Sequence, residues 1–596
     1  MELLLRRPHS VSGISAARWF GAPLRSPVSL LLACFLGCAA PVDQGGRPAQ
    51  RIESAAGGPV GAAGGPEGVG SGSAVPGVPG VPGSPGASSP GAVSPGGVAD
   101  TLVVIDDCGA GNAAGLDAAS VQTLELGGAV QGRMLYPYDG TVFPRGMRAP
   151  TLMWEGGTAD AVYLRIYASN FDYRGCLRPT GEGQLVIPQE VWERAGASSL
   201  GAREALQIEV TTLRGSSASG PLRGSIVIAQ ASVKGSIYYN SYSSKLAAQN
   251  SLLGGIGVEL GGAVLRIPPG GEAEVFVGGG ENCQGCHSVS AQGTRLLAYN
   301  GSGGSSYPIS TGGAANPPAS GTGSEGCFGA LYPDGSVFLS TAGPVATCGD
   351  GLDAGSALYE TDSGRALMGA GIPAQAAMPM FSPDGSLLVF NDFSQGNQTL
   401  AMMDFTLDEH RADNHRVLFQ DQGALKPAWP FVLPDNQGVV FTRTASEQFS
   451  GEAAGIALDS VVDLGGLGLP GLGAVTAFKG PLSDLYMADV ATGQVTLLAR
   501  AMGFETPAAA ETGQSYLPFG DEELHQNYFP TVSPVAAGGY FWVFFDSLRH
   551  YGNQGLQRQL WGAAVTVSAD GDYSVDRSHP AFYVAGQEFG TGNHRA

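Results

Sequence analysis

The sequence predicts an all-β protein: a six-bladed β-propeller over residues 236–596, preceded by a small β-sandwich over residues 101–235. Three observations predict it. A tight turn followed by an apolar strand recurs through the C-terminal part of the chain. Short alternating strands separated by glycine-rich turns fill the part before it. The composition suits packed strands joined by turns: of 596 residues 93 are glycine, 43% are hydrophobic and only 14% are charged. That is enough apolar surface for real cores and too little charge for a generally disordered chain.

The repeat decides the larger part. Phe381-Ser382-Pro383-Asp384-Gly385-Ser386-Leu387-Leu388-Val389-Phe390 is a turn running into an apolar strand, and Leu331-Tyr332-Pro333-Asp334-Gly335-Ser336-Val337-Phe338-Leu339 repeats it. Val432-Leu433-Pro434-Asp435-Asn436-Gln437-Gly438 and Val532-Ser533-Pro534 are looser copies. Later strands such as Leu485-Tyr486-Met487-Ala488-Asp489, ahead of the hairpin signal Thr492-Gly493, complete each unit. The spacing is roughly 50 residues, one propeller blade with its loops. With a first blade near 236–280 and a unit around Ser290-Ala291-Gln292-Gly293, the count is six. These copies resemble the Pro-Asp-Gly repeats of TolB-type six-bladed propellers. The resemblance covers residues 236–596 and implies a channel mouth that binds protein partners.

In the preceding region, Thr151-Leu152-Met153-Trp154, Ala161-Val162-Tyr163-Leu164-Arg165-Ile166-Tyr167, Leu206-Gln207-Ile208-Glu209-Val210 and Gly224-Ser225-Ile226-Val227-Ile228 read as strands. Their length and spacing suggest a sandwich of immunoglobulin or fibronectin type. One short helix is expected near Gln189, with Pro188 in its first turn.

Residues 1–38 read as an export signal. Arg6, Arg7, Arg18 and Arg25 precede or flank an apolar run from Val28 to Gly37, too short to span a bilayer comfortably. Cys38 follows Leu36-Gly37, which resembles the end of a bacterial lipobox and implies lipidation at Cys38, although Phe35 stands where that motif usually has Leu. Leu31-Leu32-Ala33-Cys34 fits the motif with a shorter apolar run, and an ordinary secretory signal is the plain alternative. Residues 39–100, rich in Gly and Pro, read as a flexible tether. The expected location is therefore the periplasm, outer membrane or cell surface of a bacterium, with the membrane touched only through a lipid anchor. A formal net charge of −21 argues against nucleic acid as a partner.

Eight cysteines divide by context. Cys34 and Cys38 belong to the signal. Cys108, Cys176, Cys327 and Cys348 are an even set in an oxidising compartment, and proximity favours Cys108 with Cys176 and Cys327 with Cys348, though sequence leaves the connectivity open. Cys283 and Cys286 open the run Cys283-Gln284-Gly285-Cys286-His287. Thiols at the first and fourth positions of such a run can add to the two vinyl groups of haem, and the histidine then lies under the iron. A zinc knuckle would need a second Cys/His pair and a thioredoxin-like dithiol a βαβ context; neither is present. The run resembles the attachment site of c-type cytochromes. That implies one covalent haem (heme c), with Cys283 and Cys286 as attachment points and His287 as axial ligand, in a chain without an evident helical cytochrome fold.

Aligning Ser290 with Ser382 puts the motif at the start of a blade's first strand, which lines the channel in propellers. Cys286 then shares a repeat position with Phe328, Met378, Trp429 and Phe529. That ring is apolar and aromatic with one thioether, so Met378 is the expected sixth iron ligand, with Met380 and His525 as rivals. The expected function is electron transfer, through a redox or envelope protein partner. The alternative is a TolB-like binding propeller with a structural or sensory haem. An enzyme using haem is a third reading, which an open sixth site with a nearby His or Arg would favour; with no nucleophile elbow, zinc protease motif or phosphate loop in the sequence, hydrolase readings have no support, and an electron carrier or binding protein is the expectation.

Overall fold

Each Pro-Asp-Gly copy closes by the same local chemistry. The glycine N–H donates to the carbonyl three residues earlier, Gly385 to Ser382 and Gly335 to Tyr332, both at 2.8 Å. The aspartate accepts from the N–H two residues on, Ser386 to Asp384 at 3.0 Å and Ser336 to Asp334 at 2.8 Å. Both glycines sit at φ +81°, a left-handed conformation open to glycine at little cost. The looser copy places Asn436 there at φ +60°, the residue type next most tolerant of it. Past the turn the chain reverses into an antiparallel ladder: the Ser382 N–H donates to Leu387, that of Tyr332 to Val337 and that of Leu433 to Gly438.

The computed structural model describes residues 102–247, 261–278, 285–300, 303–311, 326–342, 355–395, 398–423, 425–444, 482–520, 523–591 and 593–596. The signal over residues 1–38, the tether over 39–100, Cys38, Cys283 and Cys348 lie outside them.

From Ile237 onward the described strands form six successive sheets of three or four strands. In five of them the strand before the turn is an edge strand: Gly285–Val289, Gly326–Leu331, Ala376–Phe381, Lys426–Val432 and Asn527–Val532. These five lie against one another in chain order. The remaining sheet combines Ile237–Ser244, Gly261–Ile267 and Glu274–Val277 with Asn593–His594 from the other end of the chain. Asn240 pairs with His594 and Ser241 with Asn593, so the sheet at the start of the series is completed from its end. The arrangement is that of a β-propeller.

Turns of neighbouring sheets are tied together. The Gln292 N–H donates to the Pro333 carbonyl at 2.9 Å, and the Asn436 amide donates to Asp384 at 2.7 Å. Deeper in, rings fill the space between sheets, as where Tyr332 meets Phe381 and Phe405 at 5.4 and 5.6 Å.

The N-terminal region holds a six-stranded mixed sheet and a three-stranded one. In the larger, Ala161–Ala168 is flanked by Phe171–Leu177 and Leu206–Arg214. The helix Gln189–Ser198 begins directly after Pro188. Cys108 and Cys176 are joined in a disulfide, with the S–S distance 2.05 Å and the Cα atoms 4.8 Å apart. The region is not packed as a separate body. Leu102–Ala596 is one compact unit, and a single apolar core runs from the N-terminal sheets into the last sheet of the series. Tyr136 lies edge-on to Tyr551 and Trp561 at 5.0 and 6.0 Å and accepts a hydrogen bond from the Tyr583 N–H at 2.9 Å. No helix among the described residues is long and apolar enough to cross a membrane.

Candidate functional site

In the strands before the turns the ladder slips. The slip falls between Gly285 and Ser288, Ala377 and Met380, Ala428 and Phe431, and Tyr528 and Thr531. In the third sheet it comes one repeat position earlier, between Gly326 and Gly329. Three of these bulges carry a proline: Met378-Pro379, Trp429-Pro430 and Phe529-Pro530. Proline has no N–H to give to a ladder and is confined to such irregularities. The residue ahead of each proline is left-handed, with φ +49° at Met378, +54° at Trp429 and +50° at Phe529. Bulky residues seldom adopt that conformation, and bulges of this kind re-aim a side chain. Here they gather Met378, Trp429 and Phe529 into one buried apolar cluster with Ala428 and Tyr528. The Trp429 and Phe529 rings meet edge to face at 4.9 Å.

The second sheet spends the same two positions on Cys286-His287. His287 takes the offset that proline holds in the other copies, and its side chain is 3% exposed. The Nδ1 atom lies 2.6 Å from Oδ1 of Asn240, and the backbone N–H of His287 donates to the same oxygen at 3.4 Å. Because the backbone donor faces that atom, the amide must present its oxygen there, and Nδ1 must carry the ring proton. Nε2 is then the ring atom with a lone pair. Burial, and after it the charge of Arg595, lowers the imidazole pKa to about 3, against a hydrogen bond with the Tyr238 backbone. The ring is therefore neutral across the physiological range, the form that coordinates metals.

His287 lines a cavity of about 380 Å³. Every sheet of the series contributes to its wall, through Tyr238, Ser288, Leu331, Met380, Phe431 and Thr531. Turn residues that include Gly293, Pro333 and Pro383 also line it, as does Arg595, which follows the closing strand. The Arg595 guanidinium lies over the Trp429 ring at 4.8 Å, and its backbone N–H donates to the buried Asp546 at 2.8 Å. Burial pushes the Asp546 carboxyl up to about 8, opposed by Arg558 and Arg595.

The other residues singled out in the sequence fall as follows. Met378 packs in the apolar cluster with Trp429 and Phe529, whereas Met380 is the methionine on the cavity wall with His287. His525 holds Asp484 through Nδ1 at 2.7 Å, which raises its pKa despite partial burial. The backbones of Cys286 and Cys327 run in Gly285–Val289 and Gly326–Leu331. Among the described residues no group of three or more His, Cys, Asp or Glu side chains converges as a metal site. Sequence reading missed Asn240 and Arg595. Neither stands in a motif: Asn240 bonds His287 from a strand of another sheet, and Arg595 follows the closing strand that pairs with residues 240–241. Proline at one offset in three copies was the signal that could have located the bulge.

No family model and no curated protein matches the chain. Among solved structures it is similar to TolB from Acinetobacter baumannii, at 12% identity over 64% of this chain and 80% of that one, with a TM-score of 0.33. A putative TolB from Agrobacterium tumefaciens follows at 11% identity over 60% and 96%, with a TM-score of 0.31. Hydrazine synthase of Kuenenia stuttgartiensis is similar at 12% identity over 55% and 82%, with a TM-score of 0.28. Likenesses this low define neither a family nor an activity.

Proposed function

We propose that this chain is an exported six-bladed propeller, preceded by a small β-sandwich, that carries one covalent c-type haem and transfers electrons in the bacterial cell envelope. Cys283 and Cys286 would hold the group by thioether bonds and His287 through Nε2. The observation that carries the reading is the placement of His287: the histidine of a Cys-x-x-Cys-His run lies buried on a cavity wall, with Nδ1 engaged by Asn240. Ligating histidines commonly give their second ring nitrogen to an oxygen acceptor in this way.

When bound, a c-type haem supplies a one-electron couple whose potential depends on axial ligands and burial. The chain's own residues do the rest. Asn240 holds the imidazole in one tautomer. Met380, Phe431 and Tyr238 give the cavity an apolar wall that limits water, and Arg595 brings a positive charge near the imidazole. The export signal and Cys38 would deliver and anchor the protein where c-type haem is attached, with a redox protein of the envelope as its partner.

The test is expression of the full chain with a cytochrome c maturation system. Covalent haem stain on a denaturing gel is expected in the wild type and lost in the double variant Cys283→Ala/Cys286→Ala. Stain that survives in the double variant would sink the reading. A spectrum that changes with dithionite but not with carbon monoxide supports electron transfer, whereas a high-spin, carbon-monoxide-binding spectrum removes it in favour of sensing or catalysis.

A further inference from the structure

Asn240 is 2% exposed. Its amide oxygen faces two donors on one residue, the backbone N–H and Nδ1 of His287. Its amide nitrogen is also buried, and among the described residues it has no hydrogen-bond partner. A half-satisfied amide in a core is a poor choice for stability, since a leucine of nearly the same shape would avoid desolvating the nitrogen. The residue is thus better explained by what its oxygen does than by what it adds to the fold.

The backbone of Asn240 is held on both sides. It pairs with Val264 in the neighbouring strand and with His594 in the closing strand. The Ser241 hydroxyl adds a bond to the Thr591 carbonyl at 2.9 Å. The backbone that carries the amide is therefore held by contacts that include those joining the two ends of the sheet series.

We infer that Asn240 is the positioning residue for His287, fixing its tautomer and ring orientation for coordination, and that the closing strand Asn593–His594 holds Asn240 in register for that role. This deepens the haem reading and rests on it. An acceptor on Nδ1 makes the imidazole a stronger donor through Nε2, which favours the oxidised metal. The Asn240 oxygen should therefore hold the potential below the value an unsupported imidazole would give.

The experiment compares the wild type with Asn240→Leu and Asn240→Asp, each as the full chain matured with haem, by covalent haem stain and by redox titration at one pH. All three are expected to keep covalent haem. Asn240→Leu, which removes the acceptor, should shift the midpoint potential upward and raise the fraction that binds carbon monoxide. Asn240→Asp, which strengthens the acceptor, should shift it downward. Wild-type potential and spectrum in both variants would overturn the inference, as would shifts of the same sign. Should Asn240→Leu fail to fold, the direction of the shift in Asn240→Asp decides alone. A wild type without covalent haem would remove the proposed function as well, whereas haem present with no shift removes Asn240 only.

Discussion

The second and fourth sheets of the series share a turn, a ladder slip and a strand order, yet use the slip differently. In the fourth, Met378-Pro379 turns a thioether into an apolar cluster with Trp429 and Phe529. In the second, Cys286-His287 occupies the same two positions, and the histidine faces a cavity instead of a core. A repeat supplies identical scaffolds several times over, so one copy can carry chemistry while the others supply stability. The bulge is the place for this because its residues are released from the ladder and their direction is set locally.

The contrast breaks most visibly at the second position of the slip. His287→Ala should abolish the low-spin spectrum of the haem-loaded protein outright, while Pro379→Ala, at the equivalent position, should leave it unchanged. The proline variant should move stability by only about 1 kcal/mol or less, chiefly through the unfolded chain. Spectra and urea midpoints of the two read this directly. Equal loss of the spectrum in both would mean that the two sheets do not divide the work.

The next effect is on stability. Trp429 is buried among Met378, Phe529 and the Arg595 guanidinium. Trp429→Ala should cost about 3–5 kcal/mol, as large-to-small changes of buried aromatics do. The melting temperature should fall while covalent haem content stays that of the wild type. Loss of haem in proportion to Trp429 truncation would show that the apolar cluster belongs to the site.

How much of this was legible in the sequence follows from range. The turns were legible, because Ser382-Pro383-Asp384-Gly385 is closed by bonds within four residues. The Cys-x-x-Cys-His run was legible as a string, and its offset against the repeat needed no gap. The closing strand was not: Asn593–His594 is two residues long and pairs with residues 240–241 at the far end of the series. The left-handed residues were not legible either, because Met378, Trp429 and Phe529 are not types that signal positive φ. Nor was the continuous core that joins Tyr136 to Trp561 across the expected boundary near residue 235, since alternation within each strand reports burial but not the partner that covers it.

The thioether question sharpens the same comparison. Met378 lies on the cluster side of the slip and Met380 on the cavity side with His287. If a methionine is the sixth ligand of the proposed haem, the weak absorption band given by sulfur-to-iron charge transfer should disappear in Met380→Ala and persist in Met378→Ala. Each variant should cost about 2–5 kcal/mol, since both side chains are buried. Disappearance in Met378→Ala alone would put the cluster, not the cavity, beside the iron.

The smallest expected effect separates the two turns. Gly385 sits at φ +81°, and a Cβ there would come 2.3 Å from the Tyr332 hydroxyl. Tyr332 cannot yield cheaply, because Phe381 and Phe405 pack against its ring. Gly293 sits at φ +67° with nothing within 4 Å of the equivalent position. An alanine at either site pays for left-handed backbone, about 1 kcal/mol, and at Gly385 it must also displace a packed tyrosine. Gly385→Ala should thus lose about 2–3 kcal/mol and Gly293→Ala about 1 kcal/mol, measured as the difference in urea midpoints at equal slope. The gap between them measures how tightly the turn of the fourth sheet is packed relative to the turn of the second. If the two losses are equal, Tyr332 moves aside freely, and the fourth sheet is no better packed at its turn than the second.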